Sequence, residues 1–385
     1  MNKNFLVEQY KNDKRVSISH NYLSEQFLDF KKIFKKIEKV IKFNDFTLGL
    51  EVDEFEKNIE KLLKTKFVVA VGSGTDALML SLKALGIREG DEVITTPYTF
   101  YATIGAIVTA GAKPVFVDVD EDYNINVDKI ESKINKKTKA ILPVHWSGRI
   151  CNMRKIKSIS SKHKVPIVED ACHAISATYY KNYAGKFGDF GCFSLHPLKN
   201  LNVWGDGGFV IAKNKKQYET LRLMRNHGLV SRNKNLIFGY NSRLDTIQAV
   251  VANHLIKKIN KITNKRVENS LYLEKRLKFI KGLVFKKRFK YLKEVFHLYE
   301  FRLQNSKLRD PLVKYLRKNN IDAKIHYPIP MHLQPAAKKY GYKKGDFPTT
   351  ELIANTTISL PVHEFISTKQ LRYMIKTIKN FFYES

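Results

Sequence analysis

The sequence predicts an α/β protein: a large domain with a mostly parallel central sheet, followed by a smaller C-terminal α+β domain. Three observations carry that prediction. Short β-branched runs alternate with helical stretches between residues 67 and 213. Those runs are continuously apolar, as strands covered on both faces are. From about residue 245 the alternation gives way to one long helical stretch and then an irregular, basic and aromatic segment.

The elements follow in chain order. A polar lead-in contains one helix, "SEQFLDFKKIFKKIEKVI", whose apolar residues recur at helical spacing. Strands are expected at "FVVAVG" (67–72), "EVITTP" (92–97), "KPVFVDVD" (113–120), "KAILPVHW" (139–146), "VPIVEDA" (165–171), "FGCFSL" (190–195) and "GFVIAK" (208–213). Helices are expected at "TDALMLSLKAL" (75–85), "YATIGAIVTAG" (101–111) and "CNMRKIKSISSKH" (151–163). "TIQAVVANHLIKKINKITNKRVENSLYLEKRL" reads as one connecting helix, and "TKQLRYMIKTIKNFFYES" as a last one. The expected division is residues 1–245 for the N-terminal helices and large domain, and 246–385 for the connecting helix and small domain.

Composition narrows the class. With 43% hydrophobic residues and no apolar run long enough for a bilayer, a globular and non-membrane protein is expected. The start, "MNKNFLVEQYKNDKRV", lacks a secretory pattern. Three cysteines, Cys151, Cys172 and Cys192, form neither a disulfide framework nor paired metal ligands, so a cytoplasmic protein without a metal is expected. The net charge of +31 admits a nucleic-acid binder, but the lysines are scattered along the chain rather than gathered. The expectation is a positive field that attracts an anionic small molecule, with no nucleic acid as partner.

Three stretches fall beyond the carboxyl ends of predicted strands, where ligands sit in such sheets. In "VGSGTDAL" a strand turns through glycine into a helix, and backbone N–H groups at a helix N-terminus receive phosphate. In "VPIVEDACHA" Asp170 ends an apolar strand, where a carboxylate needs a partner. Read alone, Thr75 and Asp170 could equally be helix caps. In "FSLHPLKNLNVWGDGG" Lys199 follows a strand among turn-forming residues, and a desolvated lysine can form a Schiff base with a carbonyl. A phosphate cup, a buried carboxylate and a lysine in that order suit pyridoxal 5'-phosphate.

The motifs resemble those of the DegT/DnrJ/EryC1/StrS sugar aminotransferases, from "LGLEVDEFEKNIEKLL" to "SLPVHEF". The resemblance implies the aspartate-aminotransferase fold, pyridoxal phosphate fold type I. It implies Gly74, Thr75 and Ser194 at the phosphate, Phe100 ("PYTFYAT") stacked on the ring, Asp170 at the pyridine nitrogen and His173 near the ring oxygen. Lys199 becomes the Schiff-base lysine. Asn241, in "GYNSRLDTIQA", is expected to reach the phosphate of the neighbouring subunit, which implies a homodimer with shared sites. Cys172 stands where the family usually has alanine, and cysteine is small and apolar enough to fit. His332 ("HYPIPMHLQPA"), Lys186, Arg225 and Lys324 are expected on the substrate. The implied reaction is ping-pong transfer of an amino group from L-glutamate to a keto-sugar carried on a nucleotide diphosphate. A free keto-sugar acid or a cyclitol would use the same machinery. Dehydrating relatives replace the lysine by histidine, so retention of Lys199 favours transamination.

Overall fold

The computed structural model describes residues 17–383. The lead-in residues 1–16, on which the secretory reading rested, lie outside the described residues.

Seven strands form the central sheet: β1 (Val68–Val71), β2 (Glu92–Thr95), β3 (Lys113–Phe116), β4 (Thr138–Ile141), β5 (Val168–Asp170), β6 (Phe190–Ser194) and β7 (Gly208–Ala212). Their order is β1–β7–β6–β5 and β4–β2–β3, and bridges from Ile141 to Ile167 and from Val144 to Asp170 join the two halves. Only β7 runs against its neighbours β1 and β6. All other pairings are parallel. The strands are three to five residues long, shorter than the apolar runs they lie in.

Helices α1 (Phe30–Lys42), α2 (Leu50–Leu63), α3 (Gly74–Ala84), α4 (Tyr101–Thr109), α5 (Met153–His163) and α6 (Lys215–Met224) accompany the sheet. In α2, Val52, Phe55, Ile59 and Leu63 recur at helical spacing and have no exposed surface. Each such buried side chain contributes about 1.5–3 kcal/mol of burial free energy.

Two expected helices are interrupted. The first splits into Leu23–Gln26 and α1. Between them Phe27 turns inward against the Trp204 ring, with centroids 5.4 Å apart, and Asp29 pairs with Lys258 at 3.0 Å. The connecting helix splits into α7 (Thr246–Ile256) and α8 (Ile259–Leu277). Helix α7 is buried on nearly every side in the core around β1, whereas α8 is amphipathic and leads to a second core. That second core packs Leu273 and Leu277 of α8 and Leu312 and Leu316 of α9 (Arg309–Lys318) with Met374 and Ile378 of α10 (Thr368–Tyr383). They cover an antiparallel sheet of β8 (Leu283–Val284), β9 (Tyr299–Leu303) and β10 (Thr357–Leu360).

Candidate active site

A cleft of about 340 Å³ opens where the carboxyl ends of β1, β2, β5 and β6 meet the second sheet. It is lined by Gly74, Thr75, Phe100, Asp170, His173, Ser194, Lys199 and Lys324, eight of the twelve residues expected on cofactor or substrate.

The floor is the start of α3. Ser73, not Thr75, is the cap: its hydroxyl accepts from Asp76 N at 3.0 Å. The Gly74 and Thr75 N–H groups lie in the first turn, where a helix has no acceptor for them. Gly74 has to be glycine, because a Cβ there would stand 2.7 Å from Ser194 Cβ and 3.1 Å from Cys172 Sγ. Its absence lets β6 and the helix N-terminus close into one cup.

Asp170 caps no helix. Cys172 N donates to its Oδ1 at 3.2 Å in a local turn, and the Thr103 hydroxyl donates to Oδ2 at 2.8 Å. With that proton committed, Thr99 is the donor in the 2.6 Å Thr99–Thr103 contact. Asp170 is 6% exposed, so its charge is both desolvated and oriented. The preceding Glu169 points to the opposite face. It accepts from Gly185, Phe187 and Gly188 N and lies 2.8 Å from His145 Nε2, which fixes the loop leading into β6.

Lys199 sits in a turn after Leu198, whose φ of 75° is rare for a branched side chain. Burial lowers its ammonium below the ordinary lysine value, and the Asp170 charge pulls the other way. His173 is held neutral, well below its ordinary value, by burial and then by Lys199. Its Nδ1 accepts from Ser147 N at 3.3 Å, so the neutral ring carries its proton on Nε2. The His297 ring lies 4.3 Å from it and is held well below the ordinary histidine value by burial and then by His173. Phe100 is 37% exposed, with its ring 5.3 Å from that of Tyr101 and 5.7 Å from that of Tyr327.

These residues fit pyridoxal phosphate. A glycine-floored cup with open N–H groups suits a dianion, and a buried carboxylate suits a protonated ring nitrogen. An amine of lowered proton affinity suits the aldehyde.

Three residues expected on the substrate lie outside the cleft of their own chain. Arg225 is 3% exposed, and its Nη1 donates to Glu56 at 2.5 Å and to the Ala70 carbonyl at 2.8 Å. It ties α2 to β1 and is not part of the cleft lining. His332 is 1% exposed, lies 3.1 Å from Glu351 and packs on the Phe347 ring, outside the cleft. Lys186 also lies outside the cleft, with its ammonium on the Lys64 carbonyl. Asn241 is exposed and pairs with Asn226, away from the cleft of its own chain.

The profile of the DegT/DnrJ/EryC1/StrS aminotransferase family matches residues 29–379. The chain belongs to this family. Among relatives, the pleiotropic regulatory protein of Geobacillus stearothermophilus is 36% identical, over 94% of this chain and 97% of that one. The dTDP-3-amino-3,6-dideoxy-alpha-D-galactopyranose transaminase of Aneurinibacillus thermoaerophilus is 34% identical, over 92% and 96%. The crystal structure of S. venezuelae DesV in complex with a ketimine intermediate superposes with a TM-score of 0.91 at 31% identity, over 95% and 98%. The protein is thus a sugar-aminotransferase family member with the pyridoxal phosphate fold type I architecture.

For this family member the sequence left the far wall unread. His20, Tyr22, Arg266, His326, Tyr327 and His363 complete the cleft. His326 and Tyr327 lie in the very segment singled out for His332. The available signal was alternation: Lys324 and His326 are two apart on a strand-like stretch that bridges Ser359.

Proposed function

We propose that this aminotransferase uses pyridoxal phosphate to move the amino group of L-glutamate onto a keto-sugar linked to a nucleotide diphosphate. The observation that carries this reading is one cleft that unites the Gly74–Thr75 cup, Asp170 and Lys199. Relatives named for dTDP- and UDP-linked sugars support the acceptor class. The charge of +31 suits an anionic acceptor.

In this reading Gly74, Thr75 and Ser194 hold the phosphate, Phe100 covers one ring face, and His173 Nε2–H donates to the ring oxygen. Pyridoxal phosphate, when bound, supplies a carbonyl carbon that takes the amino group and a protonated pyridine nitrogen that withdraws electrons. Asp170 keeps that nitrogen's proton in place. Lys199 Nζ takes the proton from the donor's α-carbon, and its lowered proton affinity leaves free amine for the task. Lys324 stands at the mouth of the cleft, 3.3 Å from Asp322, available to an anionic group.

The homodimer belongs to the same proposal. An exposed apolar row runs through Phe34, Ile41, Phe43, Phe46 and Leu50. It abuts the segment of Asn241 through the Thr47–Asp245 bridge and the Gly49 N–H to Thr246. A partner on that row would receive Asn241. The proposed division into large and small domains at residues 245/246 completes the reading, with α7 sharing the larger core.

The test is a half-reaction. Protein loaded with pyridoxal phosphate and given L-glutamate without sugar should lose its yellow absorbance and release one equivalent of 2-oxoglutarate per site. Lys199→Ala should do neither. Unchanged turnover in Lys199→Ala would remove the assignment.

A further inference from the structure

Polar groups that this chemistry does not use line up behind the cleft, hydrogen-bonded from Lys199 to Glu364 and joined from there to Arg266 by an ion pair alone. Asn202 donates twice from Nδ2, to the Lys199 carbonyl at 2.9 Å and to Gln26 Oε1 at 2.8 Å. Gln26 donates from Nε2 to Glu364 Oε1 at 2.9 Å. Glu364 Oε2 stands 3.7 Å from Arg266 Nε, and Arg266 Nη2 donates to the Tyr22 hydroxyl at 2.5 Å. Arg266 and Tyr22 line the same cleft as Lys199. The chain therefore starts at the Lys199 backbone, passes through the N-terminal helical turn Leu23–Gln26, crosses to the segment after β10 and returns to the opposite wall.

The direction of each bond is forced. Gln26 turns Nε2 toward Glu364 Oε1, which accepts, and so presents Oε1 to Asn202. Asn202 then faces two acceptors, the Lys199 carbonyl and Gln26 Oε1, and must present its NH₂ to both. Its own Oδ1 is left buried without a partner. Gln26 itself is only 5% exposed. A buried acceptor left unpaired is costly, and an apolar pair of the same size would avoid that cost. What the arrangement secures is the Lys199 carbonyl. That carbonyl follows Leu198, whose left-handed φ persists only where surrounding bonds hold the turn. The Lys199 N–H to the His196 carbonyl, at 3.0 Å, is the other hold.

We infer that Gln26 is a positioning residue for Lys199, coupling the lysine turn through Asn202 and Glu364 to Arg266 on the far wall. The inference rests on the role proposed for Lys199. Its consequence is that the N-terminal turn tunes the amine without touching any ligand.

Gln26→Met keeps length and packing and removes both hydrogen bonds. Asn202→Ala cuts the chain one link nearer the lysine and serves if the first variant does not fold. Two readouts apply to protein loaded with pyridoxal phosphate: the pH midpoint of its visible absorbance, and the single-turnover rate with L-glutamate. Each single variant should shift the midpoint and slow the turnover on the order of tenfold, with glutamate affinity little changed. The double variant should be no slower than the worse single, because one chain is being cut twice. Wild-type midpoint and rate in both singles, whatever their melting temperatures, would overturn the inference, as would fully multiplying effects. Wild-type protein that binds no pyridoxal phosphate would instead overturn the proposed function, and the inference with it.

Discussion

Arg225 shows how a residue's setting decides its work. From the sequence it is a cation on a family-like segment, free to meet an anionic substrate. In the fold it is the buried partner of Glu56, whose Oε1 also accepts from Ala70 N at 2.8 Å. Removing one member of a buried pair leaves the other charged and desolvated. Arg225→Ala should therefore lower the unfolding free energy by about 3 kcal/mol, read from a urea transition. The glutamate half-reaction of the protein that remains folded should be unchanged. Lys199, Asp170, Gly74 and Ser194 were legible because each lies within a few residues of a strand end, where local pattern fixes position. His326, Arg266 and Tyr22 were not, because their approach to the cleft depends on how the second sheet packs.

At the scale of elements, the stretch after α9 and the stretch after β10 build a wall of uncharged histidines. Burial pushes His326 down to about 3, helped by His20 and Lys324, and burial followed by Arg266 pushes His363 down to about 3. His363 is fixed as neutral by its bonds: Nε2 donates to the Ser19 carbonyl at 2.9 Å, and Nδ1 accepts from Phe365 N at 3.3 Å. Both groups take up protons near the ordinary histidine value of 6.5 only when the chain unfolds. Below that value the unfolded state binds more protons, so stability rises with pH between about 3 and 6.5 and is level above. At pH 5 each should cost on the order of 1–2 kcal/mol relative to pH 7.5. Denaturant midpoints across that range should fall accordingly, and His326→Asn should flatten the dependence. A midpoint independent of pH from 7.5 to 5 would contradict this account. Strands and helices of the first half were legible to within a few residues, because period and apolar runs are local. The breaks at residues 27–29 and 257–258 were not, since they answer to Trp204 and to a second core far along the chain.

At the scale of the whole molecule, one chain keeps large apolar side chains in water. Phe43 is 79% exposed and Leu50 78%. A patch of this kind fits a partner surface rather than solvent. Sedimentation should give a dimer for the wild type, and Phe43→Asp should shift it toward monomer. The monomer should also retain pyridoxal phosphate less well, because Asn241 would no longer reach the neighbouring cup. A monomeric wild type with full cofactor retention would refute the shared site. Among the described residues no helix is long and apolar enough to cross a membrane.

The sequence by itself determined the parallel sheet, the order of cup, carboxylate and lysine along its edge, and through them the family. Those features are local: a strand end, a glycine turn and a helix start sit within a few residues of one another, and their side chains emerge on one edge whatever packs above. Tertiary structure alone decided the opposite wall and the fate of the isolated cations. It turned Arg225 and His332 into buried struts, brought His326 and Arg266 to the cleft, and ran Gln26 and Asn202 behind Lys199. The reason is physical: desolvation and hydrogen-bond partners set what a charged or polar side chain does, and residues far along the chain supply them, as Glu56 does for Arg225.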